Sequence, residues 1–184
     1  MEKPKTYCEY AEQLALSNVH RIYHDQAYGF PIDSDDELFG RLILEINQAG
    51  LSWTTILNKQ DNFRNAYANF EVAKVARFTA KDRERLLNDA GIIRNRLKVD
   101  AAIHNAQKIE ELQARFGSFK NWLDQHHPQT KEEWVKLFKK TFRFTGGEIT
   151  NEFLLSTGYL KGAHEPGCPV YQEILRQKPK WHEI

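Results

Sequence analysis

LLNDAGIIRNRLKVDAAI, residues 86–103, is the stretch of this chain that decides its fold. A helical pattern ends at Gly91, a short hydrophobic turn follows at Ile92 and Ile93, and a new helical pattern opens near Asn95. Two helices joined by so short a turn predict a helix-hairpin-helix. The flanking periodicity extends the motif to about residues 79–110.

The second helix of this hairpin predicts a site for a DNA phosphate. The first amides of a helix lack intrahelical partners, and its dipole favours an anion there. We expect Gly91 to adopt a backbone conformation that a β-carbon makes costly, and Lys98 to contact phosphate. The candidate DNA-binding residues are Gly91, Ile92, Ile93, Arg94 and Lys98. The alternative is a plain αα-hairpin with a solvated basic face, since Ile93 replaces the usual second glycine.

Helical periodicity also dominates the rest of the chain. Ser34 to Glu37 reads as a capping box before an apolar stripe, and Ser52 can cap one following helix that carries Trp53 to Tyr67. Further helical patterns lie around Trp122 and over residues 131–140 and 148–157, the last closed by Gly158. Alternating strand patterns and internal repeats are missing from the sequence. These patterns predict an all-α fold.

Composition narrows the class of protein. A chain of 184 residues with 41% hydrophobic residues can bury a sizeable core, as one domain over residues 1–184 or as two small lobes. The net charge of +1 excludes a general polyanion binder, so any DNA contact must come from a local patch. The N-terminus has no apolar signal region, and no stretch reaches the ~18 apolar residues of a membrane span. We expect a cytoplasmic protein without a membrane partner.

The two cysteines each have a histidine nearby in the sequence. Cys8 is followed by His24, and His164 and Cys168 form an H-x3-C pair in a turn-rich segment. Two thiolates and two imidazoles suit tetrahedral zinc, which would make the metal a clasp between the N-terminal segment (8–24) and the C-terminal segment (164–168). The alternative is that both cysteines are small core hydrophobes, because spacing does not show that the pairs meet.

Glu45 is the candidate for chemistry in the first long helix. Its position relative to Leu38 and Leu42 puts a carboxylate on the apolar face, directly before the turn QAGLSW. Such a carboxylate needs donors or a cationic partner. Tyr23, Tyr28 and Trp53 are candidate neighbours that could clasp a flat, electron-poor ring. The alternative roles are a helix-end glutamate bonded to backbone amides and aromatic residues that only pack a core.

A third candidate stretch is KLFKKTFRFTGGE, residues 136–148, where aromatic and basic residues alternate before Gly146 and Gly147. This pattern is typical of a pocket lining or of a groove for the nucleic-acid backbone. It is equally typical of an amphipathic element that packs into the core.

Taken together, these segments resemble the 3-methyladenine DNA glycosylase I family of base-excision repair. The resemblance runs in order over nearly the whole chain and rests on YHDQAYGFP, LFGRLILEINQAGLSWTTILNKQDNFRNAYANF, LLNDAGIIRNRLKVDAAIHNA, FRFTGGEIT and the terminal H-x3-C. Its most specific parts are EINQAGLSW and DAGIIRNRLK. It implies a helix-hairpin-helix glycosylase fold with structural zinc, acting as a monomer on double-stranded DNA that contains alkylated bases.

The resemblance also implies roles for single residues. The family's zinc ligands fall on Cys8, His24, His164 and Cys168. Glu45 matches the carboxylate that recognises the base, Tyr23 and Trp53 match pocket aromatics, and Leu51 matches the residue that wedges into the DNA gap. The chain departs from the family pattern where pocket tryptophans are replaced by Tyr10 and Tyr28. Other departures are Gly147-Glu148 and Leu155.

The chemistry of the expected reaction demands little of the protein. N3-alkylation makes adenine a cation, so the glycosidic bond is already weak and the base leaves as a neutral molecule. Base flipping and a pocket shaped to the base then suffice. Residues 107–122 contain no catalytic aspartate, and Asp100 lies in the opening helix. Two rivals stay open: a bifunctional glycosylase/lyase with Lys98 as Schiff-base amine, and a DNA-damage binding module that lost excision.

Overall fold

The computed structural model describes residues 4–183, and all regular structure in this range is helical, without a strand. The all-α prediction is confirmed. The described range contains twelve α-helices and two short 3-10 helices, Ala68–Phe70 and Lys180–His182. The α-helices are α1 (Tyr7–Glu12), α2 (Val19–Gln26), α3 (Asp35–Gln48), α4 (Trp53–Asn58), α5 (Gln60–Ala66), α6 (Val72–Val75), α7 (Ala80–Asn88), α8 (Arg96–Phe116), α9 (Phe119–His126), α10 (Lys131–Thr141), α11 (Gly147–Ser156) and α12 (Pro169–Arg176).

The chain divides into two compact units. The first unit combines the N-terminal segment up to Pro31 with the C-terminal segment from Leu154 onward, and the second unit is the continuous stretch Ile32–Phe153. Within residues 4–183, no helix is both long enough and apolar enough to cross a membrane.

Helix α3 forms the centre of the second unit. Its apolar stripe is fully buried and packs against α4, α5, α6, α8 and α9. The stripe consists of Leu38, Phe39, Leu42, Ile43 and Ile46. The start of α3 also fixes its neighbours, because the Asp35 carboxylate accepts the amides of Phe119 and Lys120 at 2.8 and 2.9 Å. A side chain of α3 thereby caps the start of α9.

The predicted start signal of α3 is half present. The Ser34 hydroxyl accepts the amide of Glu37 at 3.4 Å, but the Glu37 carboxylate pairs with Arg64, both contacts measuring 2.8 Å. The single helix predicted from Trp53 to Tyr67 is wrong. The chain breaks at Lys59 into α4 and α5, and Ser52 caps the first of them as predicted, accepting the amide of Thr55 at 3.2 Å.

The helix-hairpin-helix lies where the sequence predicts it. Helix α7 starts at a complete capping box between Thr79 and Asp82, and a seven-residue connection, 89–95, leads into α8. The Asn95 side chain caps α8 by accepting the amide of Lys98 at 3.2 Å. The two helices are also tied together by Arg83, whose guanidinium pairs with Asp100, one of the two contacts measuring 2.9 Å.

The first unit is built from α1, α2 and α12 with their loops, and two glycines allow its chain to turn. Gly29 has φ +81°, and a β-carbon there would lie 2.7 Å from the Ala163 β-carbon. Gly158 has φ +78° and follows α11, as the sequence predicts for the end of that helix. The Gly29 amide donates to the Ser156 carbonyl at 2.9 Å, so this segment is fixed beside α11's last turn.

Candidate active site and metal site

Four side chains of the first unit converge on one point. They are Cys8, His24, His164 and Cys168, all buried, and their ligand atoms lie within 4.8 Å of one another. The distance from His164 Nδ1 to Cys168 Sγ is 3.4 Å and to Cys8 Sγ 3.7 Å, and that from His24 Nε2 to Cys168 Sγ is 3.6 Å. The structure therefore brings together the two pairs that sequence spacing left apart.

These distances fit a tetrahedral metal ion. Zinc with Zn–S bonds of about 2.3 Å and Zn–N bonds of about 2.0–2.1 Å holds a sulfur and a nitrogen about 3.5 Å apart. The three measured sulfur–nitrogen distances lie on both sides of that value. The ligands come from α1, α2 and the turn that precedes α12. The cluster can thus hold a metal ion that joins the two ends of the chain.

The free ring nitrogens of both histidines are also held, which orients their ligating nitrogens. His24 Nδ1 lies 2.7 Å from Asp25 Oδ1, and His164 Nε2 lies 2.8 Å from the Tyr28 carbonyl oxygen. Burial acts to raise the pKa of Asp25, but hydrogen bonds from His24 and Arg21 bring it below its usual value. Partners of this kind set the tautomer of a metal-binding histidine. Asp25 was not among the residues predicted from the sequence, although it directly follows His24.

Burial favours the uncharged forms of two of the four side chains, Cys8 and His164. It raises the pKa of the Cys8 thiol to about 11 and lowers the pKa of His164 to about 4. Neutral imidazoles are already metal ligands, whereas a thiol binds a metal after losing its proton. Two buried thiolates without a positive charge beside them are unfavourable in an apolar site, and a divalent cation would compensate their charge.

The predicted pocket tyrosines form an aromatic cluster in the first unit. Tyr23 and Tyr28 have ring centroids 5.5 Å apart, and Tyr28 meets Tyr7 edge-on at the same distance. Tyr10 is 36% exposed and packs edge-on against His20 at 5.3 Å. Tyr7 and His20 were missed in the sequence analysis, although both lie near predicted residues in α1 and α2. The cluster offers aromatic surface with hydroxyl and imidazole edges.

Glu45 occupies the position that its spacing predicts. Its side chain is 4% exposed and lies in the last turn of α3, in the second unit. The turn after this helix carries Leu51, which is 39% exposed, and Trp53, which is half-buried at the start of α4. A buried carboxylate beside a turn with an exposed leucine and an indole suits recognition of a ring that donates hydrogen bonds.

The hairpin turn keeps its predicted place but not its predicted backbone. Gly91 does not have a left-handed φ, so our expectation of a special backbone conformation is corrected. The position is crowded instead, since a β-carbon there would lie 2.9 Å from Asp89 Oδ1 and 3.3 Å from Asn62. Ile92 is buried, Ile93 is half-buried, and Arg94 is exposed. The turn can therefore present backbone groups and the basic side chain of Arg94 to a ligand.

Lys98 lies elsewhere than predicted. Its side chain is 4% exposed, and its ammonium donates to the carbonyl oxygens of Asn47 and Ala49 at 2.8 and 2.7 Å. Burial lowers the pKa of this lysine. We therefore correct the expectation that Lys98 faces a phosphate, because its ammonium donates to two carbonyls at the end of α3.

One part of the stretch 136–148 packs into the core, and another part lines a groove. Phe138 and Phe142 are buried in the core of the second unit, where their ring centroids are 5.3 Å apart. Phe144 is 37% exposed with φ +59° and borders an open groove with a volume of about 360 Å³. The groove is lined by Lys139, Phe142, Phe144, Thr145, Gly146 and Ile149.

Comparison with known proteins decides the family. A sequence profile described as methyladenine glycosylase matches residues 14–139. The chain belongs to the methyladenine glycosylase family. It is 34% identical over 172 residues to DNA-3-methyladenine glycosylase 1 of Escherichia coli K12, covering 83% of this chain and 91% of that one. It is 33% identical over 171 residues to DNA-3-methyladenine glycosylase of Haemophilus influenzae, covering 83% and 92%.

Solved structures of the family have the same fold. A 3-methyladenine DNA glycosylase I in complex with 3-methyladenine superposes with a TM-score of 0.78 at 30% identity, covering 85% of this chain and 94% of that one. A mutant of the Staphylococcus aureus enzyme gives a TM-score of 0.79 at 30% identity, covering 87% and 95%. The predicted family and the glycosylase fold are therefore confirmed.

Replacing Gly91 by valine tests the hairpin. The added side chain must displace Asp89 or Asn62, and this disturbs the amides at the start of α8. We expect Gly91→Val to weaken binding to duplex DNA roughly tenfold, equivalent to ~1.4 kcal/mol. Fluorescence anisotropy with an undamaged duplex measures the affinity, and thermal unfolding checks the fold. A folded variant that binds as tightly as the parent would place the DNA contact elsewhere.

Proposed function

We propose that this chain is a monofunctional DNA-3-methyladenine glycosylase, which hydrolytically releases 3-methyladenine from alkylated double-stranded DNA and leaves an abasic site. The observation that carries the proposal is the buried carboxylate of Glu45 at the end of α3, in a chain of the methyladenine glycosylase family. We further propose that the protein acts as a monomer in the cytoplasm.

The chemistry follows from the charge of the damaged base. N3-methylation makes adenine cationic, so cleavage of the glycosidic bond releases a neutral base without protonation, and water then adds to the oxocarbenium sugar. Glu45 accepts a hydrogen bond from the exocyclic amine and attracts the cationic ring in an environment of low polarity. Trp53 supplies a stacking surface near the same helix end. Tyr10, Tyr23 and Tyr28 stay predictions as base-contacting residues.

DNA engagement is divided between the hairpin and the turn after α3. The amides at the start of α8 bind a backbone phosphate, and the exposed Arg94 adds a positive charge beside them. Leu51 is exposed on the turn and fills the space in the duplex that the flipped nucleotide leaves. Phosphate contacts position the enzyme, and the pocket selects the base.

We propose that the metal of the Cys8, His24, His164 and Cys168 site is zinc with a structural role. The four residues would fill all four tetrahedral positions, so the ion would leave no position for substrate. Its contribution is stability, since it would hold α1 and α2 to the segment before α12. No step of base excision needs it.

The bifunctional alternative has weaker support. A Schiff-base lysine must present a neutral amine to the sugar, whereas the Lys98 ammonium donates to two backbone carbonyls. Leaving them would remove the lysine donor from the buried Asn47 carbonyl and from the half-buried Ala49 carbonyl. Asp100 also has a partner, since the Arg83 guanidinium donates hydrogen bonds to its carboxylate. These bonds lower the pKa of Asp100.

Incubation with a methylated duplex oligonucleotide tests the proposal. We expect release of 3-methyladenine within a single turnover, accumulation of intact abasic strands and no covalent adduct on borohydride treatment. Trapping of the protein on DNA would favour the lyase. Tight binding to damaged DNA without base release would favour the binding module instead.

A further inference from the structure

Lys98 occupies a position that its own helix does not favour. It lies in the first turn of α8, where the helix dipole is positive and repels an ammonium. Its side chain is also buried, which is costly for a charged group unless strong acceptors surround it. The reason for a lysine at this position must therefore lie in what its side chain contacts.

The contacts of Lys98 complete the end of α3. The last carbonyls of a helix lack intrahelical partners, so each needs another donor. The Ala49 amide donates to the Ile46 carbonyl at 3.4 Å, and the Leu51 amide donates to the Gln48 carbonyl at 2.8 Å. The carbonyl of Asn47 in the last turn and the carbonyl of Ala49, the residue after the helix, both accept from the Lys98 ammonium. A residue about 50 positions later in the chain thus caps α3.

A third contact connects Lys98 to the segment before α11. The ammonium lies 5.9 Å from the ring centroid of Phe144, within the range of a cation–π interaction. Phe144 has a left-handed backbone, with φ +59°, which a non-glycine residue keeps only when its surroundings hold it. One ammonium group therefore joins the start of α8, the end of α3 and the Phe144 segment.

We infer that Lys98 is a positioning residue, which couples the phosphate-binding end of the hairpin to the turn that carries Leu51 and to the helix end that carries Glu45. The inference rests on the proposed function. When phosphate binds at the start of α8, the same helical turn holds the carbonyls of Asn47 and Ala49. Binding of the DNA backbone at the start of α8 and placement of the turn that carries Leu51 therefore occur together.

The test separates excision from DNA binding. Lys98→Met keeps an unbranched apolar stem and removes the ammonium, and Lys81→Met removes an equal charge from an exposed position in α7. We expect Lys98→Met to lower the single-turnover excision rate at saturating enzyme by about 10- to 100-fold, the effect of a displacement of about 1 Å in a reacting pair. Lys98→Arg, which retains the charge and donors, should recover part of the rate, and Lys81→Met should excise as the parent does.

Salt dependence provides the readout that distinguishes positioning from phosphate binding. A lost phosphate contact lowers the slope of log affinity against log salt by about 0.9. We expect the slope for Lys98→Met to match that of the parent. A lower slope with a normal excision rate would overturn the inference and restore the phosphate contact predicted from the sequence. A normal rate and a normal slope would overturn it too.

A second variant and a hydrogen-exchange measurement complete the test. If Lys98→Met does not fold, Lys98→Gln, which keeps one donor group, replaces it in the same measurements. Amide hydrogen exchange at Leu51 should be faster in either variant, because the turn loses its anchor. Failure of the parent protein to release 3-methyladenine would contradict the proposed function, whereas an active parent with equally active Lys98 variants would contradict only the positioning role.

Discussion

Glu45→Gln is expected to fold and to bind undamaged DNA as the parent does, yet to lose about ten- to a thousandfold in excision of 3-methyladenine. The substitution keeps the shape of the side chain and removes its charge. The amide attracts a cationic ring far less, and its acceptor oxygen forms a weaker hydrogen bond with the exocyclic amine than a carboxylate does. Complete inactivity is not expected, because base flipping and the weakened glycosidic bond still contribute.

Single-turnover release of 3-methyladenine from methylated DNA measures the Glu45 effect. Glu132→Gln is a matched control, since it makes the same chemical change at an exposed position in α10. Circular dichroism and metal content check that both variants are folded. Normal release by a folded Glu45→Gln would remove Glu45 from the active site and shift attention to Tyr23 and the backbone around Gly146.

Cys168→Ser is expected to release the metal and to destabilise the protein more than it alters the chemistry. The loss of a structural metal belongs to the rare substitutions that cost more than about 4 kcal/mol. For a chain of this size, that cost lowers the melting temperature by about 8–16 °C. Metal analysis of the parent should find about one equivalent of zinc, and calorimetry measures the melting temperature of both proteins.

The two cysteines provide an internal control for the metal site. Cys8→Ser should lower the melting temperature about as much as Cys168→Ser, and the double variant should add little, because either substitution already dismantles the site. Additive losses would indicate two separately packed thiols without a common metal. If the parent protein contains no metal when it is prepared without chelators, the proposed metal site is wrong.

Much of the fold could be predicted because its signals are local. Thr79 with Asp82 starts α7, and Ser52 caps α4, each through side chains within three positions. The hairpin follows from its own short stretch of sequence. The long helices α3 and α8 have enough turns for an apolar stripe to be recognised. Four of the shorter helices, α1, α2, α6 and α12, were not predicted, since four to eight residues contain only about one or two turns.

Two of the remaining differences depend on contacts between distant residues. The Glu37 carboxylate pairs with Arg64 instead of completing the predicted capping box. The Lys98 ammonium donates to a carbonyl at the end of α3 instead of contacting a phosphate. Neither partner is visible from local pattern, because a side chain's charge predicts what it can bind but not which acceptor the fold brings near. The metal ligands illustrate the same limit. Their residue types suggested zinc, but only the family resemblance and then the structure joined the two pairs.

Base recognition by Glu45 is tested most directly by the identity of the bases that the protein releases from DNA carrying both 3-methyladenine and 7-methylguanine. Both are cationic purines, but adenine presents a donor amine where guanine presents an acceptor oxygen. A carboxylate at Glu45 accepts from the first and repels the second. Mass spectrometry of the freed bases should therefore show 3-methyladenine and neither 7-methylguanine nor unmodified purines. Equal release of the two alkylated bases, or release of neither, would contradict recognition of 3-methyladenine by Glu45.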